Sequence, residues 1–189
     1  MTEKRDLRIQ KTYDSLIDAF KNLLSEKSFE EITVKELCLK AKTRTATFYT
    51  HFSDKYDFFY FMVKELRRNF TNEAALDYDK SDAIGYYSSL LQKGMNFLEN
   101  NDKMANSIKN DSMLRGICQY MPDEVTEELR ERLSHDTEGH FELNYPDVLL
   151  QFVIGGLNQV SEWWFSSQRK PDKNDVVADM KIILRALLK

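Results

Sequence analysis

A chain of 189 residues, 42% hydrophobic and 31% charged, has enough apolar content for one or two globular domains. Six glycines, three prolines and two cysteines exclude a collagen, a low-complexity chain and a disulfide mini-protein, and the wealth of Lys, Glu and Leu favours helices. The net charge of −4 is unevenly spread: residues 1–55 hold 11 Lys+Arg against 9 Asp+Glu, and the remainder 16 against 22. A basic end on an acidic body is the pattern of a protein in which one small region meets a polyanion.

Apolar residues Ile9, Leu16, Ala19, Phe20, Leu23 and Leu24 recur at helical spacing and predict a first helix over Arg8–Ser25. After a connector at residues 26–31, Thr33 with Glu36 forms a capping-box pattern ahead of a short helix, Val34–Lys40. Residues 41–43 leave room only for a turn before a second short helix, Arg44–Thr50. Ser53 or Asp54 then caps a long helix through Phe70 or beyond, which links the domains over residues 54–72. The polar stretch Asn72–Asp82 closes it. Further helices are expected over Ala83–Asn100, near Lys103–Asn110 and Met113–Tyr120, from Pro122 to about Ser134, over Asp147–Ser167 and over Asp175–Leu188. The reading is an all-α chain of about nine helices. A three-helix domain spans residues 1–55, and a larger helical regulatory and dimerisation domain spans residues 56–189.

Cys38 and Cys118 sit in apolar-periodic segments and read as small buried residues rather than as a disulfide or metal site. There is no Cys-x-x-Cys or paired-His motif, so no metal and no cofactor is expected. The N-terminus runs straight into amphipathic sequence, so no secretory leader is expected. No stretch approaches the roughly 18 apolar residues of a membrane span, and a cytoplasmic protein is the expectation.

The informative stretch is Thr33–Lys55, TVKELCLKAKTRTATFYTHFSDK. Two short helices separated by about three residues have the proportions of a helix-turn-helix. Val34, Leu37, Cys38 and Ala41 face inward from the first, Phe48 and Phe52 from the second. Arg44, Thr45, Thr47, Thr50 and His51 are left outside. Such a face can donate to phosphates and to base edges in a major groove. An ordinary solvated helix face can carry the same residue types. What separates the two is the absence of any acid from Lys40 to Ser53, in a chain rich in acids.

The run Thr33, Val34, Leu37, Ala41, then Thr47, Phe48, Tyr49, His51, Phe52 and Lys55, resembles the DNA-binding signature of TetR-family transcriptional regulators. The signature covers about a quarter of the chain. The stretch Phe152–Phe165, with Gly155-Gly156 and Glu162-Trp163-Trp164, resembles the C-terminal region of a Firmicutes-type subgroup. The resemblance implies an all-helical homodimer that binds a double-stranded operator. Thr33 would cap its helix and touch a phosphate, and Lys35 would reach DNA. Arg44, Thr45 and Thr47 would open the recognition helix, with an Arg able to bond a guanine bidentately. Tyr49, His51 and Lys55 would hold the phosphate backbone, and Thr50 belongs to the same DNA-facing set. Three positions depart from the family pattern. Lys42 stands where Gly is frequent in the turn, at a cost of about 1 kcal/mol if its φ is positive. Thr43 replaces an apolar residue and Arg44 a small polar one.

Beyond the signature, Tyr56, Phe58, Phe59, Tyr60, Phe61, Met62, Val63, Leu66 and Phe70 read either as cement for the DNA-binding head or as a relay for a ligand signal. Tyr86, Tyr87, Leu90, Met95, Phe97, Met113, Tyr120 and Phe152 suit a plain core first, and a small-molecule effector pocket as the sharper reading. The broad apolar faces of the last two helices suit a two-fold four-helix dimer interface through Phe152, Gly156, Val160, Trp163, Met180, Ile183, Leu184 and Leu187, or else burial within one chain. The expected function is a ligand-responsive repressor, with an activator or coactivator acting through a protein partner as the alternative. An enzyme is not expected: no Gly-x-Ser-x-Gly, phosphate-loop or His-Glu-x-x-His motif occurs, and His51, His135 and His140 are not grouped.

Overall fold

The computed structural model describes residues 7–79, 81–110, 112–119, 123–137 and 144–188. Tyr120, Pro122, Gly139 and His140 lie outside the described residues, as do the side chains of Met113, Cys118 and His135. Among the described residues there are ten helices and no strand, one helix more than the rounded expectation. They are α1 (Leu7–Glu26), α2 (Val34–Lys40), α3 (Thr45–His51), α4 (Lys55–Asp77), α5 (Ala83–Asn100), α6 (Asp102–Lys109), α7 (Ser112–Gln119), α8 (Asp123–Thr137), α9 (Asp147–Ser166) and α10 (Lys173–Leu188).

The chain forms two compact units. Met1–Val63 with Asn101–Cys118 makes the first, and Lys64–Asn100 with Gln119–Lys189 the second. The first unit therefore takes in α1–α3, the start of α4 and the short helices α6 and α7, with α6 packed on α1. Its core is aromatic. Phe20 lies 5.3 Å from Phe58 and 5.9 Å from Phe29, both edge-on. Phe52 lies 5.0 Å from Phe58 and 5.3 Å from Phe48. Leu16, Leu23, Leu24, Leu37 and Cys38 complete it, all buried. The burial of Cys38 holds its thiol above the ordinary pKa, partly offset by a hydrogen bond from Thr45.

In the second unit α5 packs against both α9 and α10, and α8 touches all three. Gly85, in the first turn of α5, is required by close approach. A Cβ there would come within 2.4 Å of the Tyr78 ring and of the Asp82 carboxylate. Asp82 caps this helix, its Oδ1 accepting from the Gly85 amide at 2.8 Å.

The caps of the first unit set the helix-turn-helix. Thr33 has an extended backbone and its Oγ1 accepts from the Glu36 amide at 3.2 Å, as the capping-box pattern predicts. The other half of the box is not formed. The Glu36 carboxylate instead accepts from the Lys27 ammonium at 2.6 Å, a charge-assisted bond stronger than one to a backbone amide. At the far end of α2 the Thr43 amide donates to the Cys38 carbonyl at 2.9 Å and the Lys42 amide to the Leu39 carbonyl at 3.2 Å. These two bonds make a Schellman motif, whose C′ residue takes a left-handed backbone. That residue is Lys42, with φ 53°, the one non-glycine of positive φ among the described residues. Lys42→Gly relieves about 1–2 kcal/mol of left-handed strain and returns about 0.4–1 kcal/mol through a freer unfolded chain. Urea unfolding is expected to show a net gain of about 0–1.6 kcal/mol; a loss would refute the strain assignment.

Candidate nucleic-acid interface

Seven residues, Thr45–His51, make α3, too few to be stable in isolation. Its inner face supplies what holds it. Phe48 is fully buried, and Phe52, the residue after the helix, is nearly so. The next segment is fixed from both sides: the Asp54 carboxylate accepts from the amides of Tyr56 and Asp57 at 2.8 Å, while Asp57 accepts from the amide and hydroxyl of Ser53. Asp54 is thus the principal cap of α4.

With that face anchored, the outer face is presented to solvent. Arg44 is the N-cap residue, with an extended backbone (φ −77°, ψ 140°) and no capping bond from its side chain. Arg44, Thr45, Tyr49 and Thr50 are exposed, and Thr47 and His51 half-buried. Tyr49 is 56% exposed and stands edge-on to Phe48 at 5.5 Å, so its hydroxyl end is carried outward on a fixed ring. Thr50 donates back to the Ala46 carbonyl at 3.0 Å. Thr33 and Lys35 are exposed at the start of α2.

The cations around α3 fall into two groups. Lys27 pairs with Glu36, and Lys40 with Glu26, each at 2.6 Å. The bond from Lys40 holds the Glu26 carboxyl below the usual carboxylate range. Among the described residues Lys35, Lys42 and Arg44 have no ion pair or hydrogen-bonded partner for their charged ends. From residue 27 to residue 55 these three cations are the ones left to meet a polyanion. Lys42 enters this group as a departure from the family pattern that adds a cation, neutral or favourable for DNA affinity, though it was not among the predicted contact residues.

Lys55 sits differently. Its ammonium donates to the carbonyls of Phe29, Glu30 and Ile32 at 2.9, 3.0 and 3.1 Å, and lies 4.6 Å from the centre of the Phe29 ring. An ammonium has three N–H donors, so all are engaged within the protein. The connector it grips is itself closed by Glu31, which accepts from the amide and hydroxyl of Ser28. Those bonds hold the Glu31 carboxyl below the ordinary range. The geometry makes Lys55 a clamp between the start of α4 and the segment ahead of α2.

Residues 16–60 match the family described as bacterial regulatory proteins, tetR family. That span, which includes the helix-turn-helix, is similar to the family over about a quarter of the chain. Solved structures extend the likeness of fold over nearly the whole length. A putative TetR-family regulator from Syntrophomonas wolfei has a TM-score of 0.69 at 12% identity, with 95% of each chain covered. A FadR from Bacillus subtilis, solved in complex with stearoyl-CoA, has a TM-score of 0.66 at 19% identity, with 94% of this chain and 98% of that one covered. The dihydroxyacetone kinase operon activator DhaS has a TM-score of 0.66 at 13% identity, with 94% and 96% covered. No curated protein sequence matches. The matches are to transcriptional regulators, not to enzymes. No helix among the described residues is long and apolar enough to cross a membrane.

The second unit distributes the remaining predicted residues unevenly. Tyr86, Tyr87 and Met95 are fully buried in the core of the second unit, and Leu90 and Phe97 are half-buried. Tyr87 donates to the Leu129 carbonyl at 2.7 Å, and Phe97 meets Phe70 at 6.0 Å. Phe152 is 63% exposed, outside that core. A residue absent from the sequence reading stands beside Tyr86. Arg132 is 2% exposed, with its guanidinium 3.8 Å from the Tyr86 ring centre. It donates to Glu128 at 2.8 Å and to the carbonyls of Tyr78 and Asp79. Burial pushes the Tyr86 hydroxyl up to about 12, so it remains a protonated donor at all ordinary pH. The spacing Glu128–Arg132, one helical turn apart, was the legible signal for this buried pair.

Of the residues predicted for a dimer face, Met180 and Leu184 are buried inside the chain. Gly156, Val160 and Leu187 are half-buried, and Phe152, Trp163 and Ile183 are exposed. Trp164, next to Trp163, turns inward and donates its Nε1–H to the Pro171 carbonyl at 2.9 Å.

Replacing Lys55 by Met keeps the apolar stem over Phe29 and removes the three bonds to carbonyls. Charge-assisted bonds of this kind are worth about 1.5–3 kcal/mol. A lower urea midpoint in the absence of DNA is expected. An unchanged midpoint combined with weaker DNA binding would assign Lys55 to phosphate contact alone.

Proposed function

We propose that two copies of this chain bind a palindromic double-stranded operator, each placing α3 in the major groove, and repress transcription until a small-molecule effector binds the body. The functional division of this reading is a DNA-binding head at residues 1–55 and a regulatory, dimerising body at residues 56–189. The observation that carries it is the coincidence of an acid-free, outward helix face with three cations, Lys35, Lys42 and Arg44, that no carboxylate neutralises. Arg44, Thr45 and Thr47, at the start of α3, are the base-reading candidates, because recognition helices read with their N-terminal residues. Thr33, Lys35, Tyr49, Thr50 and His51 are the phosphate-side candidates. A regulator of this kind works where the chromosome is, in the bacterial cytoplasm.

Pairing of two chains is supported by the exposed stripe Val148, Phe152 and Trp163 on α9 and by Ile182 and Ile183 on α10. Between Phe152 and Trp163 lie Gly155 and Gly156, where an added Cβ would meet nothing within 4 Å. Two glycines on such a stripe let a second helix approach closely. A control by effector is supported by the Bacillus subtilis FadR having been solved with stearoyl-CoA. An activator of the same fold is the second reading, favoured by the likeness to the DhaS operon activator.

Anisotropy titrations against duplexes selected from randomised DNA test the first claim. Arg44→Ala is expected to lower discrimination between selected and random duplexes by about 1–3 kcal/mol. Unaltered discrimination would remove Arg44 from the readout, and a wild-type chain that binds no duplex at low salt would overturn the proposal. For pairing, sedimentation equilibrium is expected to give the mass of two chains for the wild type and of one for Ile183→Asp, with helicity retained. A wild-type monomer would remove the paired-operator mechanism.

A further inference from the structure

His51 ends α3, and its ring is tied to α1. The Tyr13 hydroxyl and His51 Nδ1 are 3.2 Å apart, and the two rings meet edge-on at 5.3 Å. Tyr13 is in turn set against Phe61 at 4.7 Å and Phe52 at 5.6 Å, so its ring is positioned by α4 and by the residue that follows α3. Among the described residues His51 has no other hydrogen-bonding partner, which leaves Nε2, on the far side of the ring from Nδ1, as its remaining polar atom.

A neutral imidazole carries one N–H, and the bond made by one nitrogen decides which atom holds the proton. If Nδ1 bears it, Nε2 offers a lone pair, and a lone pair repels a phosphate oxygen. If the tyrosine hydroxyl donates to Nδ1, the proton must sit on Nε2, where it can donate to a phosphate.

We propose that Tyr13 is a positioning residue for DNA binding: its hydroxyl donates to His51 Nδ1 and holds the ring as the Nε2–H tautomer, aimed as a donor at a backbone phosphate. Tyr13 itself touches no DNA. The inference rests on the reading of α3 as the face that meets the duplex. It adds that a contact on the short helix is made fit for an anion by a residue on α1, through a chain running Tyr13 O–H to Nδ1 and Nε2–H to phosphate. Each bond in such a chain polarises the next. The hydroxyl is also the only atom lost in Tyr13→Phe, which keeps the ring that packs on Phe52 and Phe61.

Two measurements test it. Long-range proton–nitrogen NMR of the free, histidine-labelled protein, at a pH where the ring is neutral, reads the tautomer directly, with His51→Ala assigning the signal. The Nε2–H form is expected for the wild type, and a mixture of both forms in Tyr13→Phe; an Nδ1–H wild type overturns the proposal whether or not the protein binds DNA. The second is a double-mutant cycle on duplex affinity. Tyr13→Phe is expected to weaken binding about five-fold, on selected and random duplexes alike, as the loss of one modest hydrogen bond implies. In the His51→Ala background the same change is expected to do nothing. An equal loss in both backgrounds, or no loss in the wild-type background, overturns the positioning role. Failure of the wild type to bind any duplex defeats the DNA reading and this inference together. Duplex binding with a flat cycle defeats this inference alone.

Discussion

A helix of seven residues cannot hold itself together, so everything offered by α3 depends on how its inner face is buried. Phe48 and Phe52 bury that face against Phe58, the first buried residue of α4, and Phe58 rests edge-on against Phe20 of α1. Side chains of this size contribute on the order of 1.5–3 kcal/mol each when fully buried. Phe48 within the helix and Phe52 just after it together offset the cost of nucleating it, and they fix its rotation. Rotation matters because the outward set, Arg44, Thr45, Thr47 and Thr50, is defined only relative to the inward pair.

Charge is allocated around this anchor with some economy. Lysines close to a carboxylate are consumed by it, as Lys27 is by Glu36 and Lys40 by Glu26. Lys55 is consumed by three carbonyls and by the face of Phe29. What remains for a polyanion is a short basic strip, Lys35, Lys42 and Arg44, on α2, the turn and the entry to α3. The strained backbone at Lys42 fits this picture: a glycine would suit the Schellman turn better but would remove one of the three free cations. Stability of the turn and charge on the surface are in competition at that residue.

The body follows a different logic. Its core is closed by α5 on α9 and α10, yet both of the last helices keep an apolar stripe in solvent. Neighbouring residues go opposite ways, Trp164 inward to a carbonyl and Trp163 outward. A chain that buries one tryptophan while exposing the next has an apolar surface beyond what its own core uses. In the same unit, Arg132 lies buried across the Tyr86 ring, compensated by Glu128 and two carbonyls. A buried cation whose charge is balanced by a carboxylate adds little net field to the interior.

The all-helical class, most helix starts, the helix-turn-helix and its outward residues could be read from the residues alone, because each follows from local rules: apolar spacing, caps such as Thr33, and the absence of acids from Lys40 to Ser53. The end of α4 could not: it runs to Asp77, through half of the polar stretch Asn72–Asp82 that was expected to close it. The strained turn at Lys42 was legible only through the family resemblance, in which Gly is frequent at that position. The tertiary structure decided matters that depend on partners distant in sequence. It sent Glu36 to Lys27 rather than to its own helix start, engaged Lys55 with carbonyls about 25 residues earlier, drew Met180 and Leu184 inside, and set Tyr13 against His51. No periodicity encodes which of two cations will find a carboxylate, or which side of an apolar helix meets its own chain. Those choices are made by packing, and packing is known only once the helices have come together.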